Sequence, residues 1–185
     1  MTKTERQQDA VEKWYITKYA GYQMITGFGK TFTAIQVVLK LKQDNLLENG
    51  VIVVVPTIIL KQQWINELTK FKILQYCNVL VINTASKLTN KYQCSLLILD
   101  EAHTCLAETF INVFDIVEHK YLLWLTATIV RTDNRHEFLL NKAPICDSIS
   151  LNEALENKGV SDFVVYNLAV PFNNQELTEY KKTDN

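Results

Sequence analysis

The feature that constrains this chain most is a recurring pair: a short, uninterrupted apolar run followed by an amphipathic stretch. The runs are Tyr22–Thr26, Val51–Val55, Val79–Ile82, Leu96–Leu99 and Tyr121–Thr126. Without polar alternation, they read as strands covered on both faces. Thr31–Lys42 carries Phe32, Ile35, Val38 and Leu39 on one stripe. Ile58–Lys70 carries Leu60, Trp64, Ile65 and Leu68, and Leu106–Val117 carries Phe110, Val113, Phe114 and Val117. Apolar residues at this spacing mark helices with one buried face. The alternation predicts an α/β fold, a mainly parallel sheet sandwiched by helices. The length, 185 residues, suits one such domain, and 48% hydrophobic residues suit a packed interior.

Each run ends in small or polar residues. Tyr22–Thr26 leads into Gly27-Phe28-Gly29-Lys30-Thr31, Val51–Val55 into Pro56-Thr57, and Val79–Ile82 into Asn83-Thr84. Leu96–Leu99 leads into Asp100-Glu101-Ala102-His103, and the Tyr121 run closes on Thr126-Ala127-Thr128. In a parallel sheet these ends share one edge, where open α/β folds bind ligands. The pattern therefore predicts one extended site.

Thr26-Gly27-Phe28-Gly29-Lys30-Thr31 sits between an expected strand and an expected helix, the context of a phosphate loop. Glycines let the backbone aim several N–H groups at an anion, and the helix N-terminus adds its dipole. Lys30 would neutralise ATP phosphates, and the Thr31 hydroxyl suits Mg²⁺, which prefers oxygen ligands. The full pattern asks for glycine at position 24, where this chain has Met24. Gly-Lys-Thr alone would be a weak signal, since such a tripeptide also occurs in ordinary turns. The second half of the site comes from Asp100 and Glu101. Asp100 is placed to hold Mg²⁺, and Glu101 to orient an attacking water. Acidic residues also decorate helix starts for dipole reasons alone; the upstream loop favours the single-site reading.

A formal net charge of −1 excludes a binder that works by bulk positive charge. The cysteines at 77, 94, 105 and 146 form no C-x-x-C pair and read as buried free thiols. They fit a reducing compartment, so the expectation is an intracellular protein, cytoplasmic or nuclear, or a viral one acting inside a host cell. No apolar run approaches membrane-spanning length, and no membrane partner is expected.

These motifs, in this order, resemble the superfamily 2 helicases, specifically their XPB-like group. Thr26–Thr31 is similar to motif I, and Asp100-Glu101-Ala102-His103 reads as the DEAH form of motif II. Thr126-Ala127-Thr128 resembles motif III within a longer stretch running through Arg131, Asp133 and Arg135, with Ile129 at the usual proline. Val53–Trp64 resembles motif Ia, including its Gln63-Trp64 pair, and Asn83-Thr84 resembles the neighbouring motif. Gln7, with Ala10 and Trp14, looks like the adenine-reading Q-motif; Thr4 stands where its arginine is expected.

The resemblance implies a RecA-like P-loop NTPase domain over 1–150 that binds ATP and Mg²⁺ and couples hydrolysis to DNA unwinding or translocation. It implies coupling through His103, Thr126 and Thr128, and nucleic-acid contacts from Pro56, Thr57, Gln63 and Thr84, with DNA the favoured partner. Residues 151–185 resemble a connector, with Gln175–Tyr180 opening a crossover toward a second RecA-like domain, in cis or trans. On this reading the chain is an excised domain, a fragment or one piece of a split gene. Two other readings stay open. One is a nucleotide-gated module that binds nucleic acid or protein; the other is the motor segment of a restriction or remodelling complex. His119 and His136 read as surface residues, and Trp14, Trp64 and Trp124 as core. Tyr22 is a candidate wall for the adenine.

Overall fold

The computed structural model describes residues 2–87, 91–104, 113–114, 116–128, 136–156 and 160. Six strands form one sheet: β1 (Tyr19–Met24), β2 (Val51–Val55), β3 (Cys77–Val81), β4 (Tyr92–Leu99), β5 (Val117–Thr126) and β6 (Ile145–Ile149). Their order is β3-β2-β4-β5-β1-β6, and every pairing is parallel. The helices are α1 (Lys3–Thr17), α2 (Lys30–Gln43), α3 (Ile58–Lys70), α4 (Ile82–Ala85), α5 (His136–Lys142) and α6 (Leu151–Glu156).

Strand residues alternate between two cores, as a pleated sheet requires. Val51, Val53, Val55, Leu96, Ile98, Leu123 and Leu125 join Trp14, Ile35, Val38, Leu41, Trp64 and Leu68 from α1, α2 and α3. Ile52, Val54, Leu97, Leu99, Leu122 and Trp124 face the other way, toward Leu139 and Ala143. Both faces are therefore dry, which is why the strands carry no polar alternation. Gly21 is required by close approach: it pairs with Trp124 across β1 and β5, and a Cβ there would sit 1.9 Å from the indole ring.

The sequence placed β2 and α3 with the bounds observed. Elsewhere it needs correction. β1 starts and stops earlier than Tyr22–Thr26, because Ile25 and Thr26 already belong to the turn into the loop. β3 likewise starts two residues before, and ends one residue before, the run Val79–Ile82, with Ile82 opening α4. On α2 the buried face is Thr33, Ala34, Ile35, Val37, Val38 and Leu41, whereas Phe32 is exposed. The helix packs between α1 and α3 against β5, and Phe32 lies outside the face they cover. The expected helix Leu106–Val117 lies mostly outside the described residues, and Val117 itself opens β5. So do the stretch Arg131–Arg135, most of the 151–185 connector and the Gln175–Tyr180 helix.

Helix α1 and strand β6 are among the elements without a counterpart in the sequence reading, as are α4 and α5. Helix α1 is closed by a reciprocal cap, with Thr2 accepting from the Glu5 amide while the Glu5 side chain accepts from Thr2. Strand β6 breaks the apolar pattern with Asp147, which is 5% exposed. Its charge is compensated from α1: the Arg6 guanidinium donates to both Asp147 oxygens, at 2.6 and 3.0 Å, and to the Ser148 carbonyl and Glu153. This buried network fastens α1, β6 and α6 together.

Candidate functional site

The sheet order brings the polar strand ends to one edge in a definite sequence. From one side to the other they are Thr84, Pro56-Thr57, Asp100, Thr126 and the Gly27–Lys30 loop, at the ends of β3, β2, β4, β5 and β1. The phosphate-loop candidate and the acidic pair are thus separated by one strand, and Thr126 lies on that strand.

The loop owes its shape to two glycines in the left-handed region, Gly27 at φ 86° and Gly29 at φ 102°. Gly29 caps α2 without any side-chain hydrogen bond, so the first N–H groups of this 14-residue helix receive no capping side chain. An N-terminus of this kind attracts anions. Helix α1 holds the loop from behind. Gln7 Nε2 donates to the Phe28 carbonyl at 2.8 Å, and Lys3 Nζ donates to the Gly27 carbonyl at 3.0 Å. A Cβ on Gly29 would lie 2.5 Å from Gln7 Nε2. Thr26 and Gly27 are exposed, Thr31 half-buried and Phe28 buried. Tyr22 is not an adenine wall. It is fully buried, and its hydroxyl donates to the Ala10 carbonyl.

Lys30 points its amine across this edge, with Nζ 3.4 Å from Glu101 Oε1. Asp100 is 2% exposed at the end of β4. Burial pushes its carboxyl up from the ordinary value; the Trp64 indole and the positive charge of Lys30 oppose that shift, and the charge on Glu101 adds to it. Trp64 Nε1 donates to Asp100 Oδ2 at 2.7 Å, and the Glu101 amide donates to Oδ1 at 2.9 Å. Glu101 itself takes φ 48°, a left-handed conformation uncommon outside glycine, costing on the order of 1–3 kcal/mol.

His103 Nδ1 lies 2.8 Å from Thr126 Oγ1 and 3.4 Å from Glu101 Oε2. The Thr126 hydroxyl has one proton, which it donates to the Thr128 carbonyl. Toward His103 it must therefore accept, which places a proton on Nδ1. At the far end of the edge, Thr57 caps α3 by accepting from the Leu60 amide, and Thr57, Gln63 and Thr84 are exposed. Pro56 is half-buried.

The donor set suits Mg²⁺ with a nucleotide. A buried carboxylate and a threonine hydroxyl at a helix start are oxygen donors, and such ions usually keep waters and phosphates as remaining ligands. Among the described residues, no group of three or more His, Cys, Asp or Glu side chains is placed to hold a metal.

Residues 1–92 match the family described as "Type III restriction enzyme, res subunit". Over 94% of its length the chain is 29% identical to "DNA 3'-5' translocase XPB2" of Sulfurisphaera tokodaii, covering 42% of that protein. The chain is thus similar in sequence to an XPB-type translocase, and its fold is that of a RecA-like helicase core. A second relative, "Putative helicase 109L" of Invertebrate iridescent virus 3, is 34% identical over 60% of the chain and 39% of the relative. The chain thus spans about 40% of the length of the curated relatives it matches. Solved structures show the same fold. The SWI2/SNF2 ATPase core of Sulfolobus solfataricus, solved with double-stranded DNA, gives a TM-score of 0.61 at 18% identity, over 75% of this chain and 35% of that one. The UvsW helicase of bacteriophage T4 gives 0.58 at 13% identity, over 78% and 58%.

The sequence reading brings Gln7 of α1 to this site and misses Lys3 and the contact made by Trp64. Trp64 reads from the sequence as a core anchor; it is buried, and it also contacts Asp100. Lys3 carried no motif signal. No helix among the described residues is long and apolar enough to cross a membrane.

Proposed function

We propose that this domain is the nucleotide-binding half of a DNA-dependent ATPase, and that it closes on a second RecA-like domain during the ATP cycle. The observation that carries the reading is the convergence of Lys30 and Glu101, 3.4 Å apart, beside the buried Asp100. The Gly27–Lys30 backbone and the α2 N-terminus take the phosphates, with Thr26 and Phe28 shaping the loop. Lys30 neutralises the outer phosphates. Thr31 and Asp100 hold Mg²⁺, whose chemistry there is to neutralise charge on the phosphate oxygens. Glu101 accepts a proton from the attacking water, and its Lys30 contact yields to the nucleotide. Gln7 reads the adenine through its carboxamide oxygen while its nitrogen holds the loop. His103, Thr126 and Thr128 link the acidic pair to β5, so a change at the γ-phosphate reaches the nucleic-acid side of the edge.

Pro56, Thr57, Gln63 and Thr84 contact the nucleic-acid backbone. With net charge −1 this contact relies on hydroxyls, amides and helix ends rather than on bulk charge. The three described free thiols, Cys77, Cys94 and Cys146, are pushed up to about 12 by burial and suit an intracellular setting.

The test is anisotropy with labelled duplex DNA, single-stranded DNA and RNA of one sequence. Duplex DNA should bind tightest, with Thr57→Ala and Thr84→Ala each weakening it about fivefold, the loss of one hydrogen bond of ~1 kcal/mol. Tighter RNA binding, or unchanged affinity in both variants, would overturn the DNA assignment. A second reading, the motor segment of a restriction assembly, draws support from the restriction-subunit family match and from likeness to the Type ISP restriction-modification enzyme LlaGI, with a TM-score of 0.62. A nuclease or methyltransferase segment in the parent protein would favour it.

A further inference from the structure

The three tryptophans of this chain are all buried, but they spend their indole N–H groups differently. Trp14 donates to the Leu122 carbonyl and Trp124 to the Ala143 carbonyl, which are backbone contacts that fasten elements together. Trp64 instead donates to an ionisable side chain, Asp100, at 2.7 Å, with 1% and 2% of the two residues exposed. The other carboxylate oxygen takes the Glu101 amide. With a donor on each oxygen, the carboxylate is held against rotation about its Cβ–Cγ bond.

The position of Trp64 on α3 gives the contact its consequence. The helix opens at Thr57 on the outer edge, with Ile58, Ile59 and Gln63 exposed, and presents Trp64 inward. A 13-residue helix moves as a rigid body, so a shift at its N-terminus moves the indole and with it the carboxylate.

We propose that Trp64 is a positioning residue that sets the Asp100 carboxylate for a divalent cation and carries contacts made at the α3 N-terminus to that carboxylate. The inference rests on the reading of Asp100 as a metal-holding group. Partners in the shell behind a metal ligand typically change metal affinity 10–100-fold when removed.

The experiment measures Mn²⁺ binding to the 185-residue chain by electron paramagnetic resonance, with ADP present, for the wild type and Trp64→Phe. Phenylalanine keeps most of the ring volume and deletes the donor. Mn²⁺ affinity should fall about tenfold, with metal-free ADP binding unchanged. Duplex DNA should alter Mn²⁺ affinity in the wild type and not in the variant. Equal Mn²⁺ affinity in both proteins overturns the inference, as does a parallel loss of metal-free ADP binding, which marks a packing defect. Should Trp64→Phe fail to fold, the indole N–H resonances of ¹⁵N-labelled wild type decide the matter. The Trp64 signal should shift when Mg²⁺ is added to the ADP complex, and those of Trp14 and Trp124 should stay; a silent Trp64 signal overturns the proposal. A wild type that binds ADP without any response to metal removes the Asp100 reading itself, and the inference falls with it. A metal-responsive wild type matched by the variant removes only the role of Trp64.

Discussion

Gln7 on α1 donates its side-chain amide to the Phe28 carbonyl in the phosphate-loop candidate, at 2.8 Å. The bond joins the N-terminal helix to a loop whose conformation depends on two left-handed glycines, Gly27 and Gly29. Gly29→Ala therefore attacks the loop twice. The backbone at φ 102° disfavours any side chain, at a cost of about 1–3 kcal/mol, and the new Cβ must push Gln7 off its carbonyl. Urea unfolding should show a loss in that range, and nucleotide binding should weaken beyond what the lost stability explains.

Glu101→Gln should leave ATP binding within a few-fold of wild type, because Lys30 and the loop stay in place. Residual hydrolysis by the chain, with its nucleic-acid partner, should fall by about 10²–10⁴ with the general base removed. Single-turnover assays beside calorimetry separate the two effects.

Arg6→Met should destabilise the domain by roughly 1–3 kcal/mol, since it leaves the buried Asp147 carboxylate with the half-exposed Lys13 amine, 2.8 Å away, as its remaining cation. Adding Asp147→Leu should recover much of the loss, because no uncompensated charge then remains in the core. Denaturant curves of the two single variants and the double variant test this coupling. Additive losses would contradict it.

His119 gives a pH dependence with a definite sign. Its Nδ1 must donate to the Val117 carbonyl at 2.8 Å, so Nε2 accepts from the Tyr19 hydroxyl at 2.9 Å in the neutral ring. Burial, with the charge of Lys142, lowers its pKa below the ordinary 6.5. The unfolded chain then takes up the proton first as pH falls. Stability from this group is present above 6.5 and is lost as pH drops through and below that value. Melting temperatures of wild type minus those of His119→Gln, followed across this window, should decline toward acid.

What could be read from the sequence was whatever depended on local pattern. Val51–Val55 is a pure apolar run stopped by Pro56, and Leu60, Trp64, Ile65 and Leu68 fall on one helical stripe, so the pattern places β2 and α3 to the residue. The parallel sheet and the nearness of the Lys30 and Glu101 loops followed from polar strand ends sharing one edge. Contacts between distant segments were not legible. β6 escaped notice because Asp147 looks wrong for a buried strand until Arg6 arrives from the other end of the chain. Trp64 looked like a core residue because its ring is one; only the fold reveals where its N–H goes. The His119–Tyr19 pair hid for the same reason, and His119 is half-buried rather than a surface residue.

The most direct measurement is calorimetric titration of Mg·ATP into the wild-type chain and into Lys30→Ala. Lys30 supplies a charge-assisted contact worth about 1.5–3 kcal/mol, so the variant should bind at least tenfold more weakly at unchanged melting temperature. Equal affinity in the two proteins would contradict the account, because the phosphates would then lie somewhere other than between the Gly27–Lys30 loop and the acidic pair.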